Sequence, residues 1–274
     1  MSGVRATRWR AVVLALGLAF LYLPIVLLMA YSFNDSRLAT AWSGVSLRWY
    51  GALLHDGPML AAAWVSLKVA FWTANTALVL GTMAALVLTR QRRFAGRTVF
   101  AALVTAPLVM PDVLVGLSML LLFVAVGGVF GSAPHGAVPI WLAHTTVALG
   151  FVAVLVASRL KTLDPALEEA AMDLGAGPVR TFFRVTLPLI APALASAWLL
   201  AFTLSLDDVV IASFVGGPEA TTLPVRVMSS VRMGLNPKIN ALATLMIVAV
   251  SLLAALAWGW MLRTERRQDA AAGP

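Results

Sequence analysis

The chain has 274 residues, of which 61% are hydrophobic and 12% are charged, and its formal net charge is +8. A soluble domain is typically about 25% charged, so we predict an all-α, polytopic membrane protein rather than a globule in water. The excess of Arg and Lys is expected in loops that set membrane topology, and no nucleic acid partner is expected. The chain has no cysteine, and its three histidines are too scattered to indicate a metal site.

Six apolar segments are long enough to cross about 30 Å of hydrocarbon, which needs about 20 helical residues. One face of the predicted bundle would hold fourteen Arg and Lys in its loops and in the two chain termini, and the other face five, so the positive-inside rule places both termini in the cytoplasm. We predict a single transmembrane domain over 1–274. The predicted spans lie near 11–33, 62–88, 99–126, 138–158, 189–214 and 239–262.

The third predicted span contains a carboxylate, Asp112. A charge at the centre of a membrane helix costs roughly 2.5–3.5 kcal/mol on insertion scales, so such a residue is a candidate functional group. It follows Pro107 and Pro111, which weaken the local helix, and irregular backbone at this depth is tolerated only inside protein or at a cavity. A structural cap or buried ion pair is the alternative interpretation.

The loop 164–188 predicts a short helix–turn–helix on the cytoplasmic face. Asp164 and Pro165 are typical of a helix start, and Gly175 is typical of a helix end. Apolar residues recur at helical spacing between them, and a second helix is expected from Pro178. Residues alone leave open whether this hairpin docks another protein or rests on its own bundle.

The fifth predicted span contains two adjacent carboxylates, Asp207 and Asp208. Adjacent helical residues point about 100° apart, so both can face one narrow path only if the helix ends or distorts there. In one arrangement, one acid lines a path, while the other forms a hydrogen bond with Ser205, Thr203 or an arginine of the outer loop. A purely structural role for both acids is the alternative.

Aromatic residues of the same span add candidate ring faces for a cationic ligand. Trp198, Phe202 and Phe214 are the candidates, although such rings are also common in lipid-facing or packed positions. A helical stretch from Val225 to Met233 predicts a short outer helix, with a plain connecting loop as the alternative. No Walker-type glycine loop is present, so the chain is not expected to hydrolyse ATP.

The run Glu169-Ala170-Ala171, followed by Gly175 and then by Val185 and Leu187-Pro188, resembles the EAA signature of ABC importer permeases. The family has Ile more often where this chain has Val185. The resemblance implies a type I ABC importer permease fold, in which this hairpin is the coupling element that sits in a cleft of an ATPase subunit. By the same resemblance the coupling residues are Glu169, Ala170, Ala171 and Gly175.

Four further stretches resemble the polyamine branch of these permeases, and within it the second membrane subunit of putrescine importers. They are 106–123, 204–218, 221–234 and 236–245. The implied function is that of a permease subunit, not an enzyme, in an importer of the bacterial inner membrane. The implied partners are a second permease subunit, a dimer of ATPase subunits that binds ATP and Mg²⁺, a periplasmic solute-binding protein and membrane lipid, with no metal or cofactor on this chain.

A polyamine explains acids inside an apolar span, because carboxylates form strong charge-assisted hydrogen bonds with ammonium groups. The expected substrate pathway therefore includes Asp112, Asp207, Asp208, Phe202 and Trp198. Two other functions fit the residues: an ABC permease for another small solute, and an ATP-independent carrier that uses Asp112 or Asp207 as a proton site. A carrier would transport alone, whereas a permease would need its ATPase and receptor.

Overall fold

The computed structural model describes residues 2–37, 41–91, 93–131, 136–217, 219–232 and 237–252, with side chains described from Trp9 onward. The regular structure in these ranges is helical, apart from one isolated antiparallel bridge between Asn34 and Val45. The all-α prediction is confirmed for the described residues. The helices are α1 (Ser2–Tyr31), α2 (Arg48–Leu54), α3 (Gly57–Arg90), α4 (Arg97–Thr105), α5 (Asp112–Phe130), α6 (Val138–Thr162), α7 (Ala166–Asp173), α8 (Pro178–Thr181), α9 (Leu187–Asp207), α10 (Val210–Val215), α11 (Leu223–Arg232) and α12 (Pro237–Leu252).

Five helical segments among the described residues are long and apolar enough to cross a membrane. The sixth predicted span, 239–262, falls only in part on described residues, where α12 covers its first portion. The number of spans and the side on which the termini lie therefore stay predictions. The five segments are Trp9–Tyr31, Gly57–Arg90, Asp112–Phe130, Val138–Thr162 and Pro178–Asp207.

The predicted span 99–126 is not one helix. It contains α4, a 3-10 turn at Ala106–Leu108 and then α5, whose first residue is Asp112. Proline lacks the N–H that continues a helical ladder and disfavours helix at the residue before it. Pro107 and Pro111 account for the break, and Asp112 consequently lies at the start of a helix rather than within one.

The chain divides into two compact units. In the first unit, 1–60 with 229–274, the link between α1 and α2 is organised by buried Asn34. Its side-chain amide donates to the carbonyl of Ala41 at 2.6 Å, and its side-chain oxygen accepts from the backbone N–H of Ser43 at 3.0 Å. The indole of Trp49 donates to the carbonyl of Asn34 at 2.8 Å. This loop is therefore held by specific hydrogen bonds.

In the second unit, 61–228, helix α6 lies at the centre and packs against α4, α5, α9 and α10. Small side chains such as Ala77, Ala148 and Ala201 are buried where α3, α6 and α9 meet. Small residues let membrane helices approach closely. At Gly116 an added Cβ would lie 2.8 Å from the ring of Phe214, so α5 and α10 also come close.

Candidate functional site

The two adjacent acids lie at a break between α9 and α10. Asp207 is the last residue of α9, and Asp208 has extended backbone with φ −65° and ψ 128°. The carboxylate of Asp208 accepts hydrogen bonds from the backbone N–H groups of Ala212 at 2.8 Å and Ile211 at 3.4 Å. The first N–H groups of a helix have no partner within it, so Asp208 caps α10 and stabilises the break.

His144 of α6 fixes Asp208 from the other side. The imidazole is 4% exposed, with Nε2 3.1 Å from Asp208 Oδ1 and Nδ1 2.8 Å from Ser205 Oγ. Both oxygens of Asp208 already accept backbone N–H groups, so Nε2 is assigned as the donor to Oδ1. The structure thus differs from the sequence expectation, because the partner of Asp208 is His144 rather than Ser205, Thr203 or an arginine.

A cavity of about 470 Å³ opens beside this break, and it brings together the three acids that the sequence singled out. Asp112 lies at the start of α5, Asp207 at the end of α9, and both are exposed. Asp208 lines the same cavity but is turned to its hydrogen bonds, with a side chain 13% exposed. The lining consists of Asp112, His144, Val147, Ala148, Phe151, Leu204, Ser205, Asp207, Asp208, Val209, Val210 and Ile211.

The charge of this cavity is one-sided. None of its lining residues is Lys or Arg, and both nitrogens of His144 are already bonded. Carboxylates between low-dielectric walls focus a negative potential that attracts cations, and a volume of this size is typical of small-molecule sites. No group of three or more His, Asp or Glu side chains that could hold a metal ion occurs in the described part of the chain. The exposed carboxylates of Asp112 and Asp207 are acceptors that suit a cationic group.

The two aromatic residues predicted for the pathway lie elsewhere. Trp198 and Phe202 stack on each other with ring centroids 5.2 Å apart and planes at 12°, and Phe71 meets Trp198 edge-on at 6.2 Å. Neither Trp198 nor Phe202 lines the acidic cavity. Their part in a substrate pathway stays a prediction, while Phe151 supplies a ring that does line the cavity.

His144 and Phe151 were not among the residues identified from sequence. A search for histidines at the spacing of metal ligands does not find His144. Its ring nitrogens instead form hydrogen bonds with the hydroxyl of Ser205 and the carboxylate of Asp208. The available signal was an ionisable residue inside the apolar helix α6. Phe151 had no such signal, because a single aromatic residue in an apolar helix is ordinary.

The segment 164–188 contains α7, a turn and α8. The carboxylate of Asp164 accepts from the backbone N–H of Ala166 at 3.0 Å, and Gly175 has a left-handed φ of 85°. Past the turn, the backbone N–H of Ala176 donates back to the carbonyl of Ala171 at 3.0 Å, which closes the end of α7. This geometry explains why glycine occupies position 175.

One surface of this hairpin is exposed and apolar. Leu174 is 90% exposed and Val179 is 71% exposed. Of the residues in the EAA-like run, Glu169, Ala170 and Gly175 are exposed and Ala171 is half-buried. An exposed apolar surface rimmed by charge is typical of a protein interaction site.

Glu168, next to the exposed Glu169, instead points inward. Its Oε1 accepts hydrogen bonds from Arg90 Nη2 of α3 and from Thr186 Oγ1, each at 2.7 Å. We name these three residues the Glu168 bridge. Partial burial raises the pKa of Glu168, but the hydrogen bonds from Arg90 and Thr186 and the charge of Arg90 outweigh it, so the pKa is lowered overall. From sequence, Arg90 belonged only to the Arg and Lys residues that are expected to set membrane topology.

Comparisons with known proteins agree with these features. Residues 77–269 match the family described as binding-protein-dependent transport system inner membrane component. The chain is 57% identical over 261 residues to the putrescine transport system permease protein PotI of Escherichia coli strain K12, covering 95% of this chain and 93% of the relative. It is 41% identical over 230 residues to the spermidine/putrescine transport system permease protein PotC of Haemophilus influenzae, covering 84% and 87%.

Solved structures of bacterial transporters have similar folds. A chain of a bacterial ABC transporter that imports the acidic polysaccharide alginate aligns with a TM-score of 0.76 at 17% identity, covering 95% of this chain and 98% of that one. The MetNI methionine ABC transporter in an inward-facing conformation aligns with a TM-score of 0.60 at 19% identity, covering 76% and 98%. The predicted fold is confirmed, and the chain belongs to the binding-protein-dependent inner membrane components as a permease subunit of an ABC importer, not an enzyme.

Proposed function

We propose that this chain is a permease subunit of an ATP-driven polyamine importer and that putrescine is its substrate. Relatives named for putrescine and for spermidine/putrescine transport support the substrate class. The observation that carries the proposal in this molecule is the cavity where Asp112 and Asp207 are exposed beside Asp208.

The acids of the cavity can replace the hydration that a diamine loses on binding. A diamine that leaves water for the interior of a membrane protein loses the hydration of its ammonium groups, which is costly unless other charges replace it. Asp207 and Asp112 supply anionic acceptors for charge-assisted hydrogen bonds. Asp208 already accepts hydrogen bonds from His144, Ala212 and Ile211. We therefore assign substrate contact to Asp207 and Asp112 and a supporting role to Asp208.

The hairpin is the proposed contact with the ATPase. The exposed residues Glu169, Ala170 and Gly175, together with half-buried Ala171, would sit in a cleft of an ATPase subunit on the cytoplasmic side. That partner would bind ATP and Mg²⁺, and its movement on nucleotide binding would displace α7. A second permease subunit and a periplasmic solute-binding protein would complete the importer, as the alginate transporter solved with its periplasmic protein illustrates for another solute.

Reconstitution into proteoliposomes tests this function. The complex of both permease subunits and the ATPase, given its solute-binding protein, is expected to accumulate labelled putrescine only when ATP is present. Omission of the ATPase should abolish uptake, and a proton gradient alone should drive none. Uptake by this chain alone, driven by a proton gradient, would show a secondary carrier instead. If the complex took up another labelled solute and excess putrescine did not inhibit that uptake, the other solute would be the substrate.

A further inference from the structure

The end of α3 and the hairpin are not closely packed against each other. A cavity of about 460 Å³ lies between them, with Leu86 and Arg90 on the α3 side and Met172 and Phe183 on the hairpin side. Dispersion attraction falls steeply when a gap opens between surfaces, so apolar contact across this space transmits little force. The ion pair from Glu168 to Arg90 does cross from α7 to α3, over a separation of 78 residues in sequence.

The other arm of the Glu168 bridge reaches the helix that carries Asp207. Thr186 is buried and is the last residue of a π-helical turn, Phe182–Thr186, that runs directly into α9. Such turns are frequent at functional sites. Helix α9 is 21 residues long with Pro192 in its interior, and it spans about 30 Å at the helical rise, so it links Thr186 to the acidic cavity.

The arginine of the bridge also has an unused donor. Arg90 Nε is buried and has no hydrogen-bond partner among the described residues, while Nη2 bonds Glu168. Arginine commonly binds a carboxylate through two parallel N–H groups. A small shift of α7 that brings the second carboxylate oxygen to Nε would form this fork, so the ion pair can persist while α7 moves.

We propose that the Glu168 bridge transmits displacement of α7 to α3 and α9, which makes Glu168, Arg90 and Thr186 positioning residues for transport. This inference rests on the proposed function. To the exposed residues proposed for ATPase coupling it adds three residues that face the interior of the unit. It differs from docking, because none of the three needs to touch the ATPase. The lowered pKa of Glu168 keeps its carboxylate charged at neutral pH, as the ion pair requires.

A distance measurement tests the bridge without reference to the transported solute. The chain has no cysteine, so Gln91→Cys and Asp173→Cys can carry spin labels at the end of α3 and the end of α7 in the full complex. With the bridge intact, the distance distribution should keep its width when ATP is trapped, because α3 follows α7. In Arg90→Glu it should broaden and shift. Equal behaviour of the two chains would overturn the proposal.

Transport per ATP hydrolysed gives a second test with a matched rescue. Arg90→Glu is expected to lower this ratio roughly ten-fold, the scale of one lost charge-assisted hydrogen bond, with ATPase subunits still bound. The double variant Arg90→Glu with Glu168→Arg restores opposite charges and should recover most of the ratio, while Thr186→Val should have a smaller effect. A charge reversal that fails to rescue in an assembled complex contradicts the proposal. Absence of putrescine uptake in the unaltered complex would instead refute the proposed substrate.

Discussion

The molecule contains two pairs of adjacent acids, and the two pairs are built alike. In the pair at the cavity, Asp208 is bonded to a buried histidine and to the start of α10, while Asp207 is exposed. In the pair on the hairpin, Glu168 is bonded to an arginine and a threonine, while Glu169 is exposed. In both pairs one acid fixes the local structure and leaves its neighbour free to meet another molecule.

The difference between the pairs lies in what surrounds the exposed acid. Asp207 faces a cavity of about 470 Å³ inside its own unit, which suits a small cation. Glu169 lies on the open side of an eight-residue helix, which suits a protein surface. The same arrangement of two acids therefore occurs at a proposed ligand site at one end of α9 and at a proposed docking site before its other end. We call the hydrogen-bonded residues Asp208 and Glu168 the inner acids, and their exposed neighbours Asp207 and Glu169 the outer acids.

The largest effect is expected from the outer acid of the hairpin. Glu169→Lys reverses the charge that the hairpin presents to the proposed ATPase cleft, so a cleft group that complements the carboxylate would face a like charge, at a cost of several kcal/mol. Uptake should fall roughly 100-fold, and less ATPase should co-purify with the permease. Asp173→Asn, which removes a negative charge at the end of the same helix, is the control and should leave co-purification intact. Full assembly and uptake with Glu169→Lys would show that the exposed acid of the hairpin does not contact the ATPase.

The inner acid of the cavity should matter for stability. Asp208→Ala leaves buried His144 and the first N–H groups of α10 without their acceptor, and losing one member of such a network costs about 2–4 kcal/mol. The thermal unfolding midpoint in detergent should fall clearly. Asp207→Ala is the matched control at the exposed neighbour and should change stability by about 0.5 kcal/mol or less. Equal losses for the two variants would contradict the division of roles.

The smallest effect concerns pH and the inner acid of the hairpin. The pKa of Glu168 is lowered from 4.5 in the folded chain, so its stabilising contribution is present above the unfolded pKa and is lost as pH falls through the folded pKa. The unaltered chain should exceed Glu168→Gln in unfolding temperature at pH 6, and this margin should shrink as the pH falls below about 4.5. A margin that is constant with pH would show that the charge of Glu168 contributes nothing.

Composition and periodicity were sufficient to predict the helical membrane fold and to select Asp112, Asp207 and Asp208, because burying charge in an apolar span is rare and costly. They could not predict which acid of a pair turns inward. That choice depends on His144, 64 residues before Asp208, and on Arg90, 78 residues before Glu168. Long-range pairs of this kind leave no periodic signal in a single sequence.

Helix breaks were only partly predictable for a related reason. Pro107 and Pro111 announce the interruption before α5, because proline removes backbone donors. No proline marks the break after Asp207, where the helix ends because Asp208 caps the next one. Helix geometry requires an end or a distortion there if both acids are to face one path, but no residue in the sequence indicates that the helix ends.

Contact between Asp207 and the transported cation is best examined by uptake of labelled putrescine into proteoliposomes that contain the reconstituted importer. Asp207→Asn keeps the side-chain shape and removes the charge, and it should lower uptake roughly ten- to hundred-fold, the range of one charge-assisted hydrogen bond. Asp207→Glu, which keeps the charge, should recover part of the rate. Unchanged uptake by Asp207→Asn, in a complex that still hydrolyses ATP, would show that the charge of Asp207 does not bind the transported cation.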